Sequence, residues 1–342
     1  YLFLFFGLLL LFSLLFTHSL RSAILFFWLI FLQYFILFHL LIRLINTEKE
    51  FLMLIKSLQL FFLVNLFLRV FIDGEVFAPN IQNELTRVGS GALGPAVSYG
   101  GYLAILITLS LLKLAKEKKV FDYFLIILLF IELLGTYTRG GLILLPLLIL
   151  IPFFIKREVP KKNSIMTVFF FILIITFFNT AFFGVFSARS SSSSLVEDSS
   201  FLIRLELIVN FFAKYQTKLF GNGVGNPTYI KTGTATLPIH NTFIEILDQT
   251  GFLTFLIVII LVGYVLYKLY KIKFERKELY FYRSFLLVSL LQWLIFANTT
   301  ATSILYYYPY EATMIFWILL FSPFLLKKID LNKSRNLVES TN

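Results

Sequence analysis

The chain of 342 residues is 58% hydrophobic and 18% aromatic, with a mean hydropathy of +0.86, well above the roughly 45 to 50% apolar content of soluble domains. This excludes an ordinary soluble fold, and the lack of strict apolar–polar alternation excludes a membrane barrel. The net charge of +11 comes from lysines and arginines set between apolar runs, so membrane topology accounts for it better than nucleic acid, and with no cysteine disulfides are excluded.

In chain order, apolar stretches of about 17 to 25 residues, enough to cross a hydrocarbon core of about 30 Å, predict ten membrane helices: 1–17, 22–45, 51–72, 96–115, 120–136, 140–155, 164–184, 246–270, 281–299 and 311–327. The expected fold class is therefore all-α, one integral membrane domain over residues 1–342, built as a polytopic helix bundle. The chain begins at Tyr1 rather than Met, so a preceding segment is expected, and residues 1–17 lack the basic start and small-residue cleavage site of a signal peptide. No repeat of transporter-like halves is visible.

Orientation follows the basic residues. Arg43, Lys113, Lys116, Lys161, Lys162, Lys271, Arg276, Lys277, Lys327 and Lys328, with others, fall on one side, which is expected to be cytoplasmic. Nine cations fall on the other: Arg21, Arg69, Arg87, Arg139, Arg189, Arg204, Lys214, Lys218 and Lys231. Two connections there are long, 73–95 and 185–245, and long ordered loops are usually functional. The larger opens on the serine run ARSSSSSLVEDSS, read as a flexible linker. FLIRLELIVNFFAKY follows, with Leu202, Leu205, Ile208, Val209 and Phe212 at helical spacing and Arg204, Glu206, Asn210 and Lys214 between them. It is too polar to span and suits a short amphipathic helix on the outer leaflet.

Several motifs could carry chemistry. In FGNGVGN, residues 220–226, three alternate glycines permit close backbone approach, and their N–H groups are placed either to cradle an anionic oxygen or simply to turn the chain. In LPIHNTF, residues 238–244, His240 precedes an apolar run, and Asn241, Glu245 and Asp248 share one face of the helix that follows. A polar stripe at the membrane edge marks a wet interior surface. His240 itself is either a helix-start histidine or a reactive one. Arg139, in LLGTYTRGGLILL, either snorkels to the headgroups or meets an anion. Arg87 and Arg204 pose the same choice. Three forked cations beside one histidine suit a diphosphate, since guanidinium binds phosphate oxygens bidentately.

The order of R-x-G-x-G before a proline (Arg87 to Pro95), T-x-T-R-G-G (Thr136 to Gly141), R-L-x-L before F-G-x-G-x-G-N (Arg204 to Asn226) and H-N-T-F-x-E-x-x-x-x-T-G-F (His240 to Phe252) resembles the bacterial O-antigen ligase and polysaccharide polymerase superfamily, from about residue 85 to about residue 270. The resemblance implies a glycosyltransferase acting outside the cytoplasmic membrane, which takes a glycan from a polyprenyl diphosphate and gives it to a hydroxyl acceptor without a cofactor or metal. It implies that His240, Arg204 and Arg139 are catalytic and that Arg87 binds substrate. The residues themselves add Glu245 to the catalytic candidates, and Tyr137, Gly223, Gly225, Asn226 and Asn241 as substrate contacts. The family often has serine before the hairpin arginine, where this chain has Thr138.

Chemically, a sugar on diphosphate already has a leaving group, so the arginines stabilise departing charge while His240 takes a proton as general base, a role worth typically about 10²- to 10⁴-fold; Glu245 is the rival base. The expected function is polymerisation of lipid-linked repeats into a surface polysaccharide, at the outer face of a bacterial inner membrane. The alternative is ligation of O-antigen to lipid A core. A flippase is disfavoured because the polar residues gather at one face instead of mid-helix. Expected partners are the lipid-linked donor, the acceptor glycan, membrane lipids, and a chain-length regulator or flippase, with no nucleic acid.

Overall fold

The computed structural model describes residues 2–17, 20–71, 96–117, 119–135, 199–215, 218–231, 236–239, 241–299 and 310–339. Its helices are α1 (Leu2–Ser13, continued by a 3₁₀ turn Leu14–Phe16), α2 (Leu20–Phe31), α3 (Phe38–Leu44, joined to α2 by a π-helical stretch Leu32–Leu37), α4 (Glu48–Phe71), α5 (Ala96–Glu117), α6 (Val120–Gly135), α7 (Ser199–Lys214), α8 (Thr242–Lys271), α9 (Glu278–Thr299) and α10 (Tyr310–Glu339). Two short strands, β1 (Tyr229–Lys231) and β2 (Thr236–Pro238), form an antiparallel ladder with Ile230 opposite Leu237. This hairpin is the described exception to the expected all-α fold.

Eight of the ten expected spans coincide with helices; 140–155 and 164–184 lie outside the described residues. Among the described residues two helices, Thr242–Lys271 and Glu278–Ala297, are long and apolar enough to cross a membrane, and shorter apolar helices run over Phe5–Phe16 and Gly100–Leu114.

The chain divides into two compact units. One comprises Ile36–Ile172, Gly263–Phe296 and Tyr308–Asn342. Its centre is α5, buried at every position from Gly100 to Leu114 and packed against α4, α6 and α10, as expected of a helix apolar all round. At Gly101 the Phe296 ring of α9 comes so close that a Cβ would stand 2.9 Å from it. Trp293 of α9 stacks on Phe316 of α10 at 4.2 Å. The basic end is tied by ion pairs: buried Lys113 joins Asp122, and Glu117 at 3.3 Å, while Arg276 joins Glu48, and Glu278 at 2.9 Å. Thr47 and Glu50 form a capping box on α4. The Glu50 carboxylate accepts from Asn46 N and Thr47 N at 2.7 and 2.8 Å, and Thr47 Oγ1 accepts from Glu50 N at 3.3 Å.

The other unit comprises Tyr1–Phe35, Leu173–Val262 and Ala297–Tyr307, and its key feature is the start of α8. Gly251 stands at φ 87° and ψ 175°, outside helical space, so α8 is two helices end to end. Segment 218–223 fills the break. Phe252 N donates to Lys218 O at 2.9 Å and Leu253 N to Leu219 O at 3.4 Å, while Asn222 N and Gly223 N donate to Asp248 O and Gln249 O, each at 2.9 Å. The first pair satisfies N–H groups orphaned at the start of the second half, and the second pair satisfies carbonyls orphaned at the end of the first. Only glycine fits at the crossing: a Cβ on Gly251 would lie 2.3 Å from Leu219 O, and one on Gly221 2.5 Å from Gln249 O. The expected continuous helix over 246–270 is corrected accordingly. Glu245 and Asp248 belong to a buried first half, ahead of the apolar half that begins at Phe252.

Candidate functional site

A small core builds the site. Leu207 and Phe211 of α7 pack with Ile230 of β1, with Ile239, and with Ile244 and Leu247 of α8. Spacing favours Leu202, Leu205, Ile208, Val209 and Phe212 as the apolar face of α7; Ile208 packs against this core, whereas Leu205, Val209 and Phe212 are 49%, 58% and 54% exposed. The helix therefore has two apolar faces, one spent on protein and one left open, the latter still of a kind that suits a membrane surface. Arg204 stands three and seven residues before Leu207 and Phe211, so it continues the packed face toward the helix start. It is partly buried and makes no ion pair among the described residues. The same core holds Ile239 and Ile244, on either side of position 240.

Each polar residue on the first half of α8 has its own task. Asn241 caps the helix, its Oδ1 accepting from Phe243 N at 3.0 Å and Ile244 N at 3.1 Å. Asp248 grips the glycine loop and the residues after it: its carboxylate accepts from Asn222 Nδ2 at 2.7 Å, Thr228 N at 2.6 Å and Thr228 Oγ1 at 2.6 Å. Gln249 accepts from Gly225 N at 2.7 Å through its side chain. Glu245 is different. It is 3% exposed, one oxygen accepts from Gln249 Nε2 at 3.3 Å, and Oε2 is buried with no hydrogen-bond partner among the described residues. A buried carboxyl oxygen with spare capacity calls for a partner beyond those residues.

The glycine loop is a packing element. Gly223 N and Gly225 N, two groups that could have cradled an anion, donate instead to the backbone and side chain of Gln249. Asn226 likewise turns inward, its Nδ2 donating to Asn222 O at 3.0 Å and to Phe16 O at 3.4 Å. Thr17 Oγ1 donates to Val224 O at 3.0 Å, and the Phe220 ring sits 4.8 Å from Phe12, so the turn between α1 and α2 is fastened to the loop. Arg87, Tyr137, Arg139 and His240 lie outside the described residues. The structure thus brings together the loop, Asn241 and Glu245, and orders the helix that carries Arg204. Spacing does not reveal Gln249 and Thr228 as the loop's anchors, because each is an ordinary residue whose role depends on a partner more than 15 positions away. Among the described residues, no group of three or more His, Asp or Glu side chains could hold a metal ion.

Among the described residues the chain thus has two helices long and apolar enough to cross a membrane and a polar half-helix fastened by a glycine loop. The sequence family described as O-antigen ligase matches residues 124–259, and that stretch of the chain is similar to it. It takes in Tyr137, Arg139, Arg204, the glycine loop, His240 and Glu245, and leaves Arg87 outside. No curated protein and no solved structure matches the chain.

Proposed function

We propose that the protein is a membrane glycosyltransferase that polymerises polyprenyl-diphosphate-linked repeats into a surface polysaccharide at the outer face of the inner membrane. In the proposed step the acceptor hydroxyl attacks the anomeric carbon, the bond from that carbon to the diphosphate oxygen breaks, and the hydroxyl proton passes to His240. Arg204 and Arg139 neutralise the diphosphate as it departs. Glu245 orients His240 or replaces it as base. One observation carries the proposal: on the half-helix that follows position 240, Asn241, Asp248 and Gln249 are committed to the fold, and Glu245 keeps a buried oxygen without a partner among the described residues.

The description of the matched family as O-antigen ligase favours a second reading, transfer of finished glycan to lipid A core. The glycan profile of a deletion strain separates the two. Loss of a polymerase leaves single repeats on the final acceptor, whereas loss of a ligase leaves long chains on the lipid carrier. An unchanged profile would overturn both.

A further inference from the structure

Between the end of α7, the glycine loop and β1 lies a cavity of about 150 Å³, well below the roughly 300 Å³ at which drug-sized ligand pockets begin and suited to a single sugar ring. Asn210, Lys214, Tyr215, Lys218, Asn222 and Tyr229 line it. Lys214 forms no ion pair among the described residues, and Lys218 Nζ meets only the Asn222 amide oxygen. The acid on the wall, Asp248, has both carboxylate oxygens occupied by Asn222 and Thr228. With two lysines against one acid, the cavity lining carries an excess of positive charge.

Tyr215 adds a buried hydroxyl with no hydrogen-bond partner among the described residues. Burial raises this phenol above its usual value; the Lys218 N–H, outside hydrogen-bonding geometry, opposes the rise, and Asp248 adds to it. The group remains a proton donor at neutral pH. Cations and a phenol donor suit a carboxylate, the Asn210 amide suits a ring hydroxyl, and tyrosine faces suit the apolar side of a pyranose.

We infer that the cavity is a subsite for one acidic sugar, a hexuronate unit of a glycan bound at the outer face. The inference rests on the glycosyltransferase proposal only for the source of that sugar. None of its residues belongs to the proposed catalytic set, so the site acts as a filter on what the glycan contains.

The test is saturation-transfer NMR on the full chain in detergent, with methyl glucuronide and methyl glucoside as probes and inorganic phosphate as competitor. The glucuronide is expected to bind and the glucoside to bind about tenfold more weakly, the equivalent of one charge-assisted hydrogen bond. Lys214→Gln should weaken the glucuronide by a similar factor and leave the glucoside unchanged, Lys214→Arg should retain it, and Tyr215→Phe should weaken it several-fold. Thermal unfolding checks that each variant is folded. Equal binding of the two glycosides, or a glucuronide affinity untouched by Lys214→Gln, overturns the proposal. Displacement of the glucuronide by phosphate at equal concentration also overturns it, since the site would then read a bare anion such as a lipid headgroup. Binding is measured without transfer, so failure here leaves the transferase proposal intact, and inactivity of the enzyme leaves this one intact.

Discussion

Glu245 and Asp248 are one helical turn apart on the same short helix, and both are 3% exposed; what separates them is whether their oxygens are occupied. Asp248 accepts three short hydrogen bonds, so Asp248→Asn should cost about 1.5 to 3 kcal/mol and lower Tm in detergent. Glu245→Gln replaces a carboxyl group, one of whose oxygens the described fold does not use; it should leave Tm within about a degree, a small part of the several degrees that 1 kcal/mol moves, and abolish most glycan transfer. Equal losses of stability in the two variants would make Glu245 structural. The same logic applies to His240. As a general base it must be neutral, so wild-type activity should fall on acidification as the imidazole is protonated. His240→Ala and His240→Gln should then both lose most of the rate across about pH 5 to 8. Near-normal turnover in the Gln variant would leave His240 as an orienting group and pass the base to Glu245.

At the scale of elements, the broken α8 decides how the site is held. Gly251 adopts φ 87°, and a Cβ there would collide with Leu219 O. Gly251→Ala should therefore cost about 1 to 3 kcal/mol for conformation alone, with the displaced loop adding to it, and activity should fall with stability. Gly263 on the same helix has nothing within 4 Å of a Cβ, so Gly263→Ala should gain up to about 1 kcal/mol from helix propensity. Thermal unfolding of the pair checks whether the break or merely the glycine content of α8 matters. The break was not legible in the sequence, because TGFLTFLIVII continues an apolar run through Gly251 and the partner that splits it is 30 residues earlier. The hairpin was hidden for a different reason: strands of three residues are too short to show alternation. Helix α9 was legible because its apolar run has the length a membrane demands, and α5 because an apolar run marks it even below that length. In the site, Arg204 and His240 stood out because charge beside an apolar run has no topological reason to be there. The face of α7 did not, since Leu205/Val209 and Leu207/Phe211 satisfy helical spacing equally well and only tertiary contacts choose between them.

For the whole molecule, everything proposed about chemistry depends on orientation, because a polyprenyl-linked glycan and the glycine loop must meet on the same side of the membrane. Charge supplies the expected answer. Lys113, Lys116, Arg276, Lys277, Lys327 and Lys328 gather at the ends assigned to the cytoplasm, while the stretch 185–245 carries the cations that the proposal gives to substrate. The ion pairs that bind α4 to the start of α9, and α5 to α6, lie at that basic end, and the polar half-helix lies at the start of α8, whose far end carries Lys268 and Lys271. A chain with no native cysteine allows this to be tested directly. Single cysteines at Ser192 and at Lys277, exposed to an impermeant maleimide in intact cells or spheroplasts, should label at position 192 and stay protected at position 277 until the membrane is permeabilised. The reverse pattern would put Glu245, Arg204 and the lysine-lined cavity in the cytoplasm, where nucleotide sugars are the available donors, and would remove the lipid diphosphate from the proposed reaction. Labelling at both positions without permeabilisation would mean that the basic end is not sealed from the outside, and the charge rule would then have failed for this chain.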